Sequence, residues 1–195
     1  MEFFLRASGL PSKLAILSGA FHPPTRAHLA LAQAALARAG EVLFVLPRVF
    51  PHKAYSGASF EQRRAWLEAA VAGEPRFSIA TTDRGLFAGI AAECRAAYGG
   101  AVKLYFICGR DAAERIIGWD YGDAPGILHQ LESYELLVAA REGDYQPPVE
   151  MAAKVHPLSI PAGLRAISST EVRRRIAAGE PWEHLVPAPV AALLR

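Results

Sequence analysis

Apolar residues along the chain fall into two alternating arrangements. Leu14 to Ser18, Val42 to Leu46, Arg76 to Ala80, Val102 to Ile107 and Glu135 to Ala140 are short runs with the content of buried strands. Between them lie longer stretches with helical repeat. Leu29, Ala32, Leu36 and Ala39 share one face of a helix predicted over Thr25 to Ala39, which Gly40 stops. Ser59 is placed to cap a helix running to Ala72, with Phe60, Arg64, Leu67 and Val71 along it. Further helices are predicted over Phe87 to Ala97, Thr170 to Ala178 and Pro189 to Leu194, and Pro47 to Ser59 reads as a long loop.

Strand–helix alternation predicts an α/β fold: a single doubly wound, Rossmann-like domain with a parallel sheet and helices on both faces. It would span residues 1–195, with 1–12 as an extra N-terminal segment. Ligands in such folds sit beyond the carboxyl ends of the strands. Each loop with candidate chemistry follows a predicted strand: Gly19 to His28 the first, Pro51-His52-Lys53 the second, Gly109-Arg110-Asp111 the fourth.

Composition narrows the classes. With 52% hydrophobic and 21% charged residues, the 195-residue chain is neither disordered nor membrane-embedded, and it can bury a core. A formal charge of +2 does not argue for a nucleic-acid groove. Cys94 and Cys108 make no metal spacing and no disulfide framework, so reduced core thiols are expected. No apolar run approaches the roughly 18–20 residues of a membrane span, and the start has no signal-peptide pattern, which fits a cytoplasmic enzyme. The chain is compatible with a homo-oligomer.

Three clusters carry candidate chemistry. Gly19-Ala20-Phe21-His22-Pro23-Pro24-Thr25-Arg26-Ala27-His28 joins the first strand to the first helix. The unpaired N–H groups of a helix start suit a phosphate, and Thr25 and His28 lie on one helical face beside them. Taken singly, Thr25 reads as an N-cap and His28 as a surface residue. Ile167-Ser168-Ser169-Thr170-Glu171-Val172-Arg173 reads as a capping box between Ser168 and Glu171. That reading leaves Ser169, Thr170 and the fork of Arg173 free to face an anion. Gly109 and Asp111, after the strongest strand, suit close approach of a nucleotide and acceptance from ribose hydroxyls. Trp119 could stack on a base or belong to a core or interface, and Lys53 is either a phosphate contact or a surface lysine.

The first cluster resembles the Gly-x-Phe-x-Pro-(His/Thr)-x-x-His signature of the nucleotidyltransferase superfamily, and Ile167 to Arg173 resembles its Ile-Ser-Ser-Thr-x-x-Arg signature. Pro51-His52-Lys53, Glu61-Gln62-Arg63, the Asp111-to-Trp119 spacing and the stretch from Gly179 to Pro187 are similar to nicotinate/nicotinamide mononucleotide adenylyltransferases of the bacterial type. The likeness runs in order over residues 13 to 195. Three positions depart from it. Gly85-Leu86-Phe87 replaces a Ser-Tyr-Thr segment that helps define the pyridine-nucleotide pocket. His22 stands where Asp or Asn is usual, and Thr25 replaces the commoner bacterial histidine, as in the eukaryotic branch.

The resemblance implies transfer of AMP from ATP to a nicotinate or nicotinamide mononucleotide, with release of pyrophosphate. Thr25, His28 and Arg173 would be the catalytic set. Gly19, Ala20, Phe21, Gly109, Asp111, Ser168, Ser169 and Thr170 would bind ATP, and Lys53, Phe87 and Trp119 the acceptor. Mg²⁺ would be bound mainly through the ATP phosphates, since no carboxylate cage is evident. Two alternatives stand beside this: a nucleotidyltransferase with another phosphorylated acceptor, phosphopantetheine-like or an alcohol phosphate, and an ATP-binding module without turnover.

Overall fold

The computed structural model describes residues 1–50, 55–122, 126–140 and 145–195. Its strands are β1 (Glu2–Leu5), β2 (Lys13–Ser18), β3 (Glu41–Pro47), β4 (Phe77–Thr82), β5 (Lys103–Gly109), β6 (Glu135–Ala139) and β7 (Val155–Pro157). Its α-helices are α1 (Arg26–Ala35), α2 (Phe60–Val71), α3 (Phe87–Tyr98), α4 (Arg110–Ile117), α5 (Ile127–Gln130), α6 (Ala162–Arg165), α7 (Ser169–Ala178) and α8 (Ala188–Leu194). Among the described residues, one sheet contains all of these strands, in the order β1-β4-β3-β2-β5-β6-β7.

The five predicted strands are present and parallel to one another, and each helix expected between them forms. The sheet is not wholly parallel, however. The N-terminal segment supplies β1, which runs antiparallel along β4. Its remaining residues reach further, because the Ala7 N–H donates to Ser78 Oγ. Ser78 and the Tyr98 hydroxyl both donate to Glu41, a carboxylate buried at the start of β3. Residues 2–7 are therefore built into the sheet edge and its polar floor, while Ser8 to Leu10 are exposed. The first helix ends at Ala35 rather than Ala39, its last residues closing in tighter turns such as Arg38 N–H to the Ala35 carbonyl.

The strands are buried on both sides, and their alternation divides the core. Leu14, Ile16, Leu43, Val45, Leu104, Phe106, Leu136 and Val138 face α3 and α4. Ala15, Leu17, Val42, Phe44, Tyr105, Ile107 and Leu137 face α1 and α2 on the other side. A smaller cluster, centred on Val172, Leu185 and Val190, seats α7 and α8 against Trp66 and Ala70 of α2. Cys94 and Cys108 are free and buried as expected, with burial pushing each thiol up to about 12. Among the described residues, no helix is long and apolar enough to cross a membrane.

From β2 the chain winds outward through β3 to β4, then crosses to β5 on the other side of β2. Strands β2 and β5 are parallel neighbours, with Ile16 opposite Phe106. Their carboxyl ends open a crevice where the two crossovers diverge, the usual ligand position in such sheets. Gly19 follows one of these strands, and Gly109 ends the other.

Candidate active site

The turn after β2 is held from several sides. Gly19 N–H donates to the Val45 carbonyl. Phe21 adopts a left-handed backbone, φ 47°, and is only 2% exposed. That conformation costs a side-chain residue about 1–2 kcal/mol. Its ring is fixed between Phe44, 5.7 Å away, and the edge of His28, 5.4 Å away. Phe21 thus supports the site from beneath and does not face a ligand with its ring.

Thr25 is the N-cap of α1, and His28 stands at the third helical position. There His28 does what glutamate does in a capping box: its Nδ1 accepts the Thr25 backbone N–H at 2.9 Å. The Thr25 hydroxyl lies 2.9 Å from the same nitrogen. Two donors on Nδ1 leave the ring proton on Nε2, so the neutral imidazole presents an N–H beside the open helix start. Burial lowers the His28 pKa from 6.5 to about 4, which keeps the ring neutral at physiological pH. Thr25 is 0% exposed. Its hydroxyl is directed to His28, and it acts on a ligand only through that ring.

The second signature reaches the same turn from the far end of the chain. Ser168 caps α7 by accepting the Glu171 N–H at 3.1 Å. The expected capping box is only half formed, because the Glu171 carboxylate turns to Arg174 and Arg175, at 2.9 and 2.7 Å. Ser169 Oγ donates to the Pro23 carbonyl at 2.8 Å, and Arg173 donates to the His22 carbonyl at 2.6 Å. Arg173 also reaches Thr170 Oγ1 at 3.4 Å. The starts of α1 and α7 are thereby joined, with exposed Thr170 and Arg173 at the seam.

Gly109 and Asp111 are exposed across the crevice, at the end of β5 and in the first turn of α4. A Cβ at Gly109 would approach nothing closer than the Ala139 carbonyl at 4.0 Å, so the backbone there is open. Trp119 follows α4 and is 51% exposed, a position compatible with stacking on a planar ring. Phe87 begins α3 and is only partly buried, but its ring stacks on Phe106 at 4.1 Å and meets Tyr134 edge-on. It forms an apolar wall, without the hydroxyl of the segment it replaces. Lys53, with Pro51 and His52, lies outside the described residues.

Arg63 is the residue that sequence reasoning missed. The helical repeat sets Arg64 in line with Phe60, Leu67 and Val71 along α2, yet Arg64 pairs with Glu68 at the surface while Arg63 is 3% exposed. Its guanidinium lies within 5.7 Å of the ring centres of Phe50, Tyr55 and Phe60 and donates to the Ala20 carbonyl at 3.2 Å. Its Nε has no hydrogen-bond partner. Arg63 therefore braces the turn after β2 at the cost of a buried charge. Arg63→Met is expected to hold or raise Tm, since an apolar replacement removes the desolvation cost, while kcat/KM falls about tenfold as Ala20 loses its donor. Thermal melts and steady-state assays of one preparation check both halves, and unchanged activity would remove Arg63 from the site.

The histidines also make stability depend on pH. His28 is held below its ordinary 6.5, at about 4, and burial together with Arg173 and Arg63 lowers His22. As pH falls from about 6.5 toward 4, the unfolded chain binds protons that the folded chain refuses, so stability declines through that window. Tm measured at steps across it is expected to drop more steeply for the wild type than for His28→Gln.

The comparisons with known proteins agree with this geometry. The cytidylyltransferase-like family model matches residues 16–175. A protein of Moorella thermoacetica named probable nicotinate-nucleotide adenylyltransferase is 32% identical, over 95% of this chain and 90% of its own. One of the same name from Bordetella pertussis is 32% identical, over 94% and 95%. In structure, Plasmodium falciparum nicotinic acid mononucleotide adenylyltransferase complexed with NaAD aligns with a TM-score of 0.70 at 14% identity, covering 93% of this chain and 94% of that one. At that identity the structural match speaks for the fold; the matches in sequence go further. The chain therefore belongs to the cytidylyltransferase-like family of nucleotidyltransferases, and the carboxyl ends of β2 and β5, where the two signature-bearing helix starts meet, are its candidate site.

Proposed function

We propose that the protein transfers AMP from ATP to nicotinate mononucleotide, releasing pyrophosphate, in the cytoplasmic synthesis of NAD. The observation that carries this reading is His28: a neutral imidazole with Nδ1 occupied and Nε2–H free, set beside the seam where α7 docks on the phosphate turn. The names of the relatives favour the nicotinate acceptor.

In the reaction, an acceptor phosphate oxygen forms a bond to the α-phosphorus of ATP while the bond from that phosphorus to the bridging oxygen breaks, and pyrophosphate leaves. The attacking oxygen is already ionised at neutral pH, so the protein has to align the reactants and stabilise charge. His28 Nε2–H would donate to the α-phosphate. The N–H groups at the starts of α1 and α7, with Thr170 and Arg173, would hold the β- and γ-phosphates. Gly109 would admit the adenosine, Asp111 would accept from its ribose, and Trp119 and Phe87 would bound the acceptor ring. Among the described residues no group of three or more His, Cys, Asp or Glu could hold a metal. Mg²⁺ would arrive with ATP as part of the substrate and neutralise phosphate charge there.

A pyrophosphate-release assay pairing ATP or CTP with a panel of phosphorylated acceptors tests the reading. Release is expected with ATP and nicotinate mononucleotide. Silence with both pyridine mononucleotides, alongside release with another acceptor, would overturn it.

A further inference from the structure

His22 departs from the aspartate or asparagine usual in the signature it belongs to, and its surroundings are shaped around an imidazole. The Arg173 guanidinium holds its carbonyl. Its ring lies nearly parallel to that of Trp66 in α2, with centroids 5.9 Å apart and 14° between planes, and Tyr55 approaches edge-on. Ala58 N–H donates to Nε2 at 3.4 Å. Gly57, at φ +141°, passes so close that a Cβ would stand 2.2 Å from His22 Cε1. Only glycine fits there, in both backbone conformation and space. The loop then runs into Ser59, the N-cap of α2, and one turn later to Arg63, which holds the Ala20 carbonyl.

We propose that His22 is a positioning residue that fastens the Tyr55–Ser59 loop to the phosphate turn, and through it sets the placement of α2 and Arg63 behind that turn. A shorter side chain would neither reach Ala58 nor fill the slot against Trp66. Nε2 must stay unprotonated to accept, since a proton there would set donor against donor. The charged and titratable groups facing the ring are Arg63 from α2, Arg173 from α7 and Tyr55 from the loop, and burial with the two guanidinium groups keeps the ring neutral. The kinetic consequence rests on the adenylyl-transfer reading; the fastening itself does not.

Two variants separate the acceptor from the ring. His22→Phe keeps a ring on Trp66 but cannot accept, and His22→Gln carries an amide oxygen toward the Nε2 position. Amide hydrogen exchange of the full chain is read at Ala58, and kcat/KM for ATP is measured with nicotinate mononucleotide. His22→Phe is expected to speed Ala58 exchange and lower kcat/KM about fivefold, the worth of one hydrogen bond. His22→Gln should stay within about twofold of wild type at pH 7.5 on that scale. The ratio of wild type to His22→Gln should then fall as pH is lowered below the ordinary histidine range, since of the two side chains only the imidazole titrates. Gly57→Ala should reproduce the His22→Phe loss by driving a Cβ into the ring. Unchanged Ala58 exchange in His22→Phe would overturn the fastening, and faster exchange with unchanged kcat/KM would overturn its role in positioning. A wild type that releases no pyrophosphate with either mononucleotide would overturn the adenylyl-transfer reading instead, and the exchange experiment would still decide whether His22 fastens the loop.

Discussion

His28→Ala is expected to lower kcat about 10²–10³-fold while leaving the fold intact, the loss typical when one preorganised donor to a developing oxyanion is removed. The ring is fixed at Nδ1 by the Thr25 backbone and hydroxyl, so its Nε2–H is aimed before substrate arrives. That preorganisation is what alanine discards. The Thr25 N–H becomes exposed to the crevice and can bond water, so the stability change should be small beside the kinetic one. Circular dichroism and Tm establish the fold, and single-turnover kinetics isolate the chemical step. Turnover of a folded His28→Ala near the wild-type level would remove the histidine from the reaction.

Arg173→Ala carries the second large effect. The guanidinium is exposed at the seam and uses donors on the His22 carbonyl and Thr170, while its remaining N–H groups can reach a triphosphate. Hydrogen bonds to charged groups are worth about 1.5–3 kcal/mol, so kcat/KM for ATP should fall between about tenfold and 150-fold. Lysine should recover only part of this, because an ammonium cannot fork between a carbonyl and a phosphate. Raised ionic strength should weaken ATP binding more in the wild type than in the alanine variant. Equal KM values for ATP in both proteins would place Arg173 outside the phosphate site.

Much of this arrangement was legible because its signals are local. A glycine turn between an aliphatic strand and a helix start needs no tertiary knowledge, and β2, β3 and β5 read directly from their unbroken apolar runs. The cap at Ser59 was legible for the same reason: Ser59 and Gln62 bond reciprocally, as their spacing implies. What escaped was decided by distant neighbours. Arg63 and Arg64 are adjacent on the helix, and only the aromatic cage of Phe50, Tyr55 and Phe60 selects the first for burial. Strands β1 and β7, of 4 and 3 residues, are too short for periodicity to reveal and exist because the sheet offers them an edge. Helix α4 is charged and begins on a glycine, so Gly109 to Asp111 read as loop where the backbone turns straight into a helix. The Glu171 carboxylate has two arginines within reach and bonds both, where a capping box would offer it a single backbone N–H.

The bonds from Ser169 to Pro23 and from Arg173 to His22 join residues 146 and 151 positions apart. A chain leaving the ribosome exposes His28 and the Gly109 turn long before α7 exists. Until α7 emerges and docks, the turn after β2 lacks these two bonds, and the proposed phosphate cradle would be only half built. On the proposed adenylyl-transfer reading, ATP would favour the fully assembled chain over every partly built one, and its binding free energy would add to the stability of that last closure.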